Sequence, residues 1–186
     1  SVTAGALWAG GFTETESGSN VASIKTTATR HGDRFLVSGS KMFVSMADSA
    51  NHLLLLARAA SQAQDGLSLL AVDLPDDAIT ATPMPALGCH YLTTCAVYFD
   101  DLEVPATRLI GAEGAAWKPL FDVLNPERVV LAAAAVGTGH WVLRQAVKYA
   151  KQRAVWNGTP IGAHQGIQFP LAEASMRLRA AQLCVY

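Results

Sequence analysis

Up to about residue 112, short apolar segments alternate with polar turns. Residues 34–46, 52–59, 67–74 and 93–105 are rich in Val, Leu, Phe, Tyr and Thr, which favour strands. Gly, Asp and Pro separate these segments and favour turns. Strands at this spacing predict a mostly antiparallel barrel or sandwich. The four leucines at 53–56 predict a strand that is covered on both faces.

After residue 112, glycine and proline become rarer and the apolar spacing becomes helical. Asn125-Pro126-Glu127 predicts a helix start, because Asn can cap free N–H groups and Pro is tolerated at the first helical position. Apolar residues then recur every three or four positions to about Ala150. We expect a second helix from about Gln165 to Val185, with Pro170 in its first turn.

The sequence therefore predicts an α+β chain. Residues 1–112 would form an antiparallel β-barrel or β-sandwich domain, and residues 113–186 the first part of a helical bundle domain. The N-terminal apolar segment has no evident partner strand or helix. Two helices cannot enclose a core alone, so we expect further helices beyond Tyr186 and interpret the chain as a fragment.

Composition argues against two classes of partner. The formal net charge is −1 and Lys and Arg are scattered, which does not indicate a nucleic-acid-binding surface. The longest apolar run, residues 129–136, is far shorter than the roughly 20 residues of a membrane-spanning helix. A hydrophobic fraction of 51% indicates an apolar interior or large subunit interfaces.

The three cysteines, Cys89, Cys95 and Cys184, predict no disulfide framework because their number is odd. Cys89-His90 with Cys95 could begin a metal site, but no second close Cys or His pair completes four ligands. We expect buried free thiols and no metal. Free thiols favour a reducing compartment, the cytoplasm or, in a eukaryote, the mitochondrial matrix.

Residues 10–20, GGFTETESGSN, form a near-continuous polar loop. By itself this loop is typical of a surface turn held by Ser and Thr side chains. Alternatively, the loop could line a site for a charged ligand.

Five segments occur in a fixed order across essentially the whole chain: TETESGSN at 13–20, IKTTA at 24–28, GSKMFVS at 39–45, FDDLEVP at 99–105, and YAKQR at 149–153 followed by Gln165. Together they resemble the acyl-CoA dehydrogenase family. The resemblance implies the middle β domain and about half of the C-terminal helical domain of an enzyme that binds FAD non-covalently.

The resemblance also implies the chemistry of fatty acid β-oxidation, the conversion of an acyl-CoA thioester to a trans-2-enoyl-CoA. A carboxylate removes the α-proton while the β-hydrogen leaves as hydride to flavin N5. Electron-transfer flavoprotein would accept the electrons, and a homo-oligomer, a dimer of dimers, would share FAD between subunits. This segment alone would be inactive.

Two alternatives to a dehydrogenase remain open. Acyl-CoA oxidases and flavin monooxygenases share the fold and differ in the oxidant. A non-catalytic acyl-CoA-binding subunit of a hetero-oligomer is the other interpretation.

The family motifs imply roles for residues of this chain. In the β domain, Phe43 would pack on the flavin ring and Ser45 would hydrogen-bond near N5. Gly18 and Ser19 would bring backbone N–H groups close to phosphate, where a Cβ would obstruct the approach. Glu16 would add negative charge beside that phosphate, so we expect its side chain to point outwards. The implied FAD contacts of this domain are Phe12, Thr13, Gly18, Ser19, Phe43, Val44 and Ser45. The implied contacts with the FAD of a neighbouring subunit are Arg153, Trp156 and Gln165.

The implied acyl-CoA contacts are Ser19, Asn125 and Arg128. Glu127 stands where a minority of the family carries the catalytic base. Its alternative role is that of a glutamate at a helix start, where it only favours the helix dipole. In that case the base would lie beyond Tyr186.

Overall fold

The computed structural model describes residues 5–59, 66–88 and 90–186, which form two compact units divided after Phe121. The first unit contains an eight-stranded sheet. Its strands are β1 Trp8–Gly11, β2 Thr27–His31, β3 Arg34–Ser45, β4 His52–Ala59, β5 Leu67–Asp73, β6 Ile79–Met84, β7 Thr94–Pro105 and β8 Leu109–Ile110. Short 3-10 helices lie at Val21–Ser23 and Ala106–Arg108.

The strand order is β6-β7-β3-β2-β4-β5-β8, with β1 added beside β4, and the sheet does not close among the described residues. The pairings are antiparallel except those of β4 with β1 and β2, which are parallel. The predicted α+β class is confirmed, and each of the four predicted segments contains a strand. The N-terminal apolar segment does have a partner, β4, because Trp8 to Gly11 pair with it in register.

The core of this unit is centred on β4. Leu53 and Leu55 are fully buried on one face of the strand, and Leu56 is fully buried on the other. The predicted coverage of both faces is therefore confirmed. Each fully buried leucine contributes about 1.5–3 kcal/mol. The edge strand β6, in contrast, alternates between half-buried and exposed positions.

The second unit consists mainly of two helices, α1 Trp117–Gln152 and α2 Gln165–Val185, with a 3-10 turn at Ile161–Ala163 between them. The bounds predicted for α2 are confirmed. The predicted start of α1 is wrong: the helix begins at Trp117, and Pro126 lies in its interior. Its first turn, which belongs to the first unit, buries Leu120, and this packing supports helix before the proline.

Pro170 is also placed differently from the prediction, since it lies beyond the first turn of α2. Proline there removes one hydrogen bond, to the carbonyl of residue 166. The helix continues because each later residue still adds its own bond.

The helices leave much of their apolar surface uncovered. No residue of α2 is buried, as expected if two helices cannot enclose a core. The exposed large apolar side chains of α1 include Val129, Val130, Leu131, Trp141, Val142 and Tyr149. Even so, no helix within the described residues is both long and apolar enough to cross a membrane.

Gly39 in β3 packs closely against Thr26 and leaves no room for a side chain. Its φ is +143°, and a Cβ there would lie 2.7 Å from the Thr26 Cα. We expect Gly39→Ala to lower the free energy of unfolding by about 3 kcal/mol, through backbone strain and overpacking, as measured by urea denaturation. Gly166→Ala, which adds a Cβ in open space, is the matched control and should not destabilise. Equal midpoints for Gly39→Ala and wild type would contradict this account.

Candidate functional site

A buried ion pair anchors the polar loop to the sheet. Lys41 in β3 has no exposed side-chain surface, and its Nζ lies 2.8 Å from Glu14 Oε1. The same ammonium donates to the Phe12 carbonyl at 3.2 Å. The Glu14 carboxylate also accepts the backbone N–H of Lys25 at 2.6 Å and that of Thr26 at 3.0 Å. One carboxylate thus joins the loop to β3 and to the segment before β2.

The surroundings of this pair determine its charges. Burial alone would raise the pKa of Glu14, but the hydrogen bonds from Lys41 and from the backbone of Lys25 and Thr26 hold that pKa below its usual value. Burial lowers the pKa of Lys41, and the Glu14 carboxylate offsets part of this effect. Glu14 is therefore anionic at neutral pH.

The loop closes on itself just after Glu14. The backbone N–H of Glu14 donates to the Ser17 carbonyl at 2.9 Å, and the N–H of Ser17 donates back to Glu14 at 3.1 Å. The Ser17 hydroxyl donates to the Asn20 carbonyl at 2.6 Å. These are the contacts expected of a serine-rich turn, and they leave Gly18 and Ser19 exposed.

Nothing in the chain itself requires glycine at position 18. Its φ is outside the left-handed region, and a Cβ there would meet no atom within 4 Å. The space that a side chain would fill remains open, as an approaching ligand would need.

A bulge in β3 turns an aromatic ring outwards beside the loop. The register between β3 and β7 shifts between Lys41 and Val44, and the N–H of Met42 donates to the Thr13 carbonyl at 2.8 Å instead. Phe43 has a φ of +60°, and its side chain is 62% exposed, whereas Val44 is fully buried. Without the bulge, Lys41 and Phe43 would share one face of the strand.

The structure therefore brings together two of the segments with predicted FAD contacts, Phe12–Thr13 in the loop and Phe43 in the bulge. Ser45 is exposed at the end of β3. Val44 is buried, so only its backbone could contact a ligand. The outward orientation predicted for Glu16 is confirmed: its side chain is 76% exposed and lies 2.7 Å from Lys25 Nζ.

The predicted substrate residues of the second unit lie on α1. Asn125 does not cap this helix, and its Oδ1 accepts a hydrogen bond from Arg128 Nη1 at 2.8 Å. Glu127 is exposed and lies well inside the helix. The dipole interpretation of Glu127 is therefore wrong, because that effect falls off within the first turn.

The predicted contacts with a neighbouring subunit's FAD lie at the connection between α1 and α2. The N–H of Ile161 donates to the Arg153 carbonyl at 2.8 Å, and that of Val155 to Thr159 at 2.9 Å. This pairing folds the connection back on itself. Arg153, Trp156 and Gln165 are all exposed, Trp156 at 96%, so their side chains are available to a ligand or another chain.

Glu14 and Lys41 link the loop to β3, yet no role was predicted for either residue from the sequence. A signal was present, because two-residue alternation in β3 places Lys41 on the same face as the buried Phe35 and Val37. A lysine in that position needs a buried partner, and the nearby loop contains the glutamate.

The three cysteines were expected to be buried free thiols that hold no metal. Cys95 is buried as predicted, whereas Cys89 lies outside the described residues. Cys184 is exposed, which corrects the prediction of a buried thiol, because the described chain does not cover that end of α2. Within the described ranges, no group of three His, Cys, Asp or Glu residues could hold a metal ion.

Comparison with known proteins identifies both units. Residues 9–102 match the family model described as acyl-CoA dehydrogenase, middle domain, and residues 117–186 match the acyl-CoA dehydrogenase C-terminal domain. Acyl-CoA dehydrogenase fadE12 of Mycobacterium tuberculosis (strain CDC 1551 / Oshkosh) is 40% identical over 92% of this chain and 45% of its own length. An acyl-CoA dehydrogenase of Bacillus subtilis is 36% identical over 97% of this chain and 48% of its own. The chain thus spans about half the length of these relatives.

Solved structures agree with these matches. A glutaryl-CoA dehydrogenase in complex with glutaryl-CoA superposes with a TM-score of 0.93 at 32% identity, over 99% of this chain and 47% of that one. Butyryl-CoA dehydrogenase of Megasphaera elsdenii superposes with a TM-score of 0.92 at 29% identity, over 100% of this chain and 49% of that one. A glutaryl-CoA dehydrogenase of Mycobacterium smegmatis in complex with FADH2 superposes with a TM-score of 0.88 at 25% identity, over 97% of this chain and 46% of that one.

The Glu14 carboxylate makes stability depend on pH. Its pKa is lower in the folded chain than the unfolded value near 4.5, so its contribution is present above that pH and is lost as the pH falls through the folded-state value. We expect Glu14→Gln to lower the free energy of unfolding by about 3 kcal/mol at pH 7, because it leaves Lys41 buried without a counter-charge. The decrease should be smaller at pH 3, where the wild-type carboxylate contributes less.

Thermal unfolding of wild type and variant across this pH range measures the effect. Glu16→Gln, which removes only an exposed ion pair, is the control and should change little. A cost that is the same at both pH values would argue against the lowered pKa of Glu14.

Proposed function

This chain belongs to the acyl-CoA dehydrogenase family, a family of flavoprotein oxidoreductases, and on that premise we propose that the protein oxidises an acyl-CoA thioester with bound FAD. The observation that carries the proposal is the junction of loop and bulge, where the Thr13 backbone and the exposed Phe43 ring lie on adjoining segments. The reaction removes the α-proton and the β-hydride and leaves a trans double bond between these carbons.

The residues at this junction fit a flavin. An isoalloxazine ring has an apolar face and a polar edge, for which the Phe43 ring and the hydroxyls of Thr13 and Ser45 are suitable partners. The open space at Gly18 suits the approach of a phosphate to the backbone. When bound, FAD supplies the oxidant, since flavin N5 accepts the hydride.

The second unit is proposed to contact a neighbouring copy's FAD. The Arg153 guanidinium suits bidentate recognition of phosphate, and Trp156 and Gln165 add an exposed aromatic ring and an amide. We further propose that the protein assembles as a dimer of dimers, that electron-transfer flavoprotein accepts its electrons, and that it functions in a reducing compartment. The boundary between the β domain and the helical domain is proposed at residues 112/113.

The proposed acyl-CoA contacts are Ser19, Asn125 and Arg128. For the base, we propose a carboxylate outside this chain, with Glu127 as the alternative within it. Either carboxylate would accept the α-proton, and an alignment of base, substrate and flavin in a site that excludes water would accelerate the reaction.

The function is tested by titrating the full-length protein, loaded with FAD, with a panel of acyl-CoAs while the flavin absorbance is recorded. We expect at least one acyl-CoA to bleach the flavin. Protein that holds no FAD, or flavin that no acyl-CoA bleaches, would contradict the proposal. Reoxidation by oxygen faster than by electron-transfer flavoprotein would instead indicate an oxidase.

Glu127→Gln in the same assay assigns the base. We expect bleaching close to the wild-type rate, with Glu173→Gln, an exposed glutamate of α2, as the matched control. A rate reduced by about 10²–10⁴-fold, the range for loss of a general base, would place the base at Glu127.

Gly18→Ala separates ligand binding from folding. Because a Cβ at position 18 meets nothing in the chain, we expect an unchanged unfolding midpoint. The Kd for FAD should rise roughly tenfold, about 1.4 kcal/mol, because the methyl group occupies space next to the proposed phosphate position. Fluorescence titration measures the Kd, with Gly137→Ala, which also adds a Cβ in open space, as control. An unchanged Kd would remove Gly18 from the proposed site.

A further inference from the structure

Glu14 lies between the two parts of the loop that are proposed to contact FAD. Phe12 and Thr13 precede it, and Gly18 and Ser19 follow the turn that it forms with Ser17. Its carboxylate is fixed by Lys41 at 2.8 Å and by two backbone N–H groups. This side chain therefore anchors the loop between its two parts.

On the sheet side, three consecutive residues of β3 complete the junction. Lys41 Nζ holds the Phe12 carbonyl, the N–H of Met42 holds the Thr13 carbonyl, and Phe43 presents its ring. The bulge that exposes Phe43 begins immediately after the buried ammonium.

Stability alone does not account for a buried ion pair at this position. Removing two charges from water costs several kcal/mol for each ion, and apolar residues of similar volume are often as stable or more stable. The pair does fix a geometry, because each charged group must keep its partners to remain buried.

We propose that Lys41 and Glu14 are positioning residues of the flavin site. They hold the Phe12–Thr13 backbone against the Phe43 bulge, and they act through those residues. Lys41 has no exposed surface and Glu14 only 8%, so neither is placed to be the group that reacts. This inference rests on the proposed function, because it assigns the ligand of the loop to FAD.

The double variant Glu14→Gln with Lys41→Met, in the full-length protein, tests the inference. It removes both charges together and leaves no unpaired ion, so we expect an unfolding midpoint equal to or above that of wild type. The Kd for FAD should nevertheless rise at least tenfold. The amide of Met42 should exchange its hydrogen faster, a measurement that does not depend on flavin. A merely structural pair would leave the Kd unchanged.

The matched control is Glu16→Gln with Lys25→Met, which removes the exposed ion pair of the same loop. It should change neither the Kd nor the exchange of the Met42 amide. A similar rise in Kd for this control would show that any loss of charge in the loop weakens binding, and would overturn the assignment to the buried pair.

The remaining outcomes separate the two claims. Wild-type protein that binds no FAD would overturn the proposed function and this inference with it. Wild-type binding together with an unchanged Kd in the double variant would overturn the inference alone. A double variant that fails to fold would assign the pair to folding, and unchanged Met42 exchange would show that the pair does not hold the loop against β3; either result would overturn the inference.

Discussion

A charge buried in a sheet requires a partner of opposite charge, and in this protein Glu14 of the polar loop is the partner of Lys41 in β3. The Lys41 ammonium is enclosed by the first unit, so the chain near Glu14 is drawn into contact with β3. The polar loop, the bulge after Lys41 and the outward ring of Phe43 all adjoin that contact. A surface loop thereby acquires the rigidity of the sheet.

Rigidity of this kind suits a site that binds a large planar ligand. Loops are usually the mobile parts of a domain, whereas aligned reactants require positions held to within a fraction of an ångström. The Thr13 carbonyl accepts a hydrogen bond from the Met42 N–H of β3. The backbone of the loop therefore has little conformational entropy left to lose when a ligand binds.

Much of the fold was readable from the sequence, and the failures have physical causes. Alternation and turn residues located β3, β4, β5 and β7, but not the shorter strands β1, β2, β6 and β8. Of these, β1 and β8 depend on pairing with β4 and β5. Proline in α1 was expected to mark a helix start, yet the burial of Leu120 stabilises helix before it. The family motifs suggested the loop and the Phe43 segment. They did not disclose the ion pair, because a pairing between residues 27 positions apart is a property of the folded chain.

Under the proposed function, the exposed ring of Phe43 links the stability of the protein to the supply of FAD. A ligand that binds only the folded form adds to its stability in proportion to the logarithm of the ligand concentration. Under the proposed function, riboflavin limitation would therefore reduce the amount of intact protein as well as the fraction that is active.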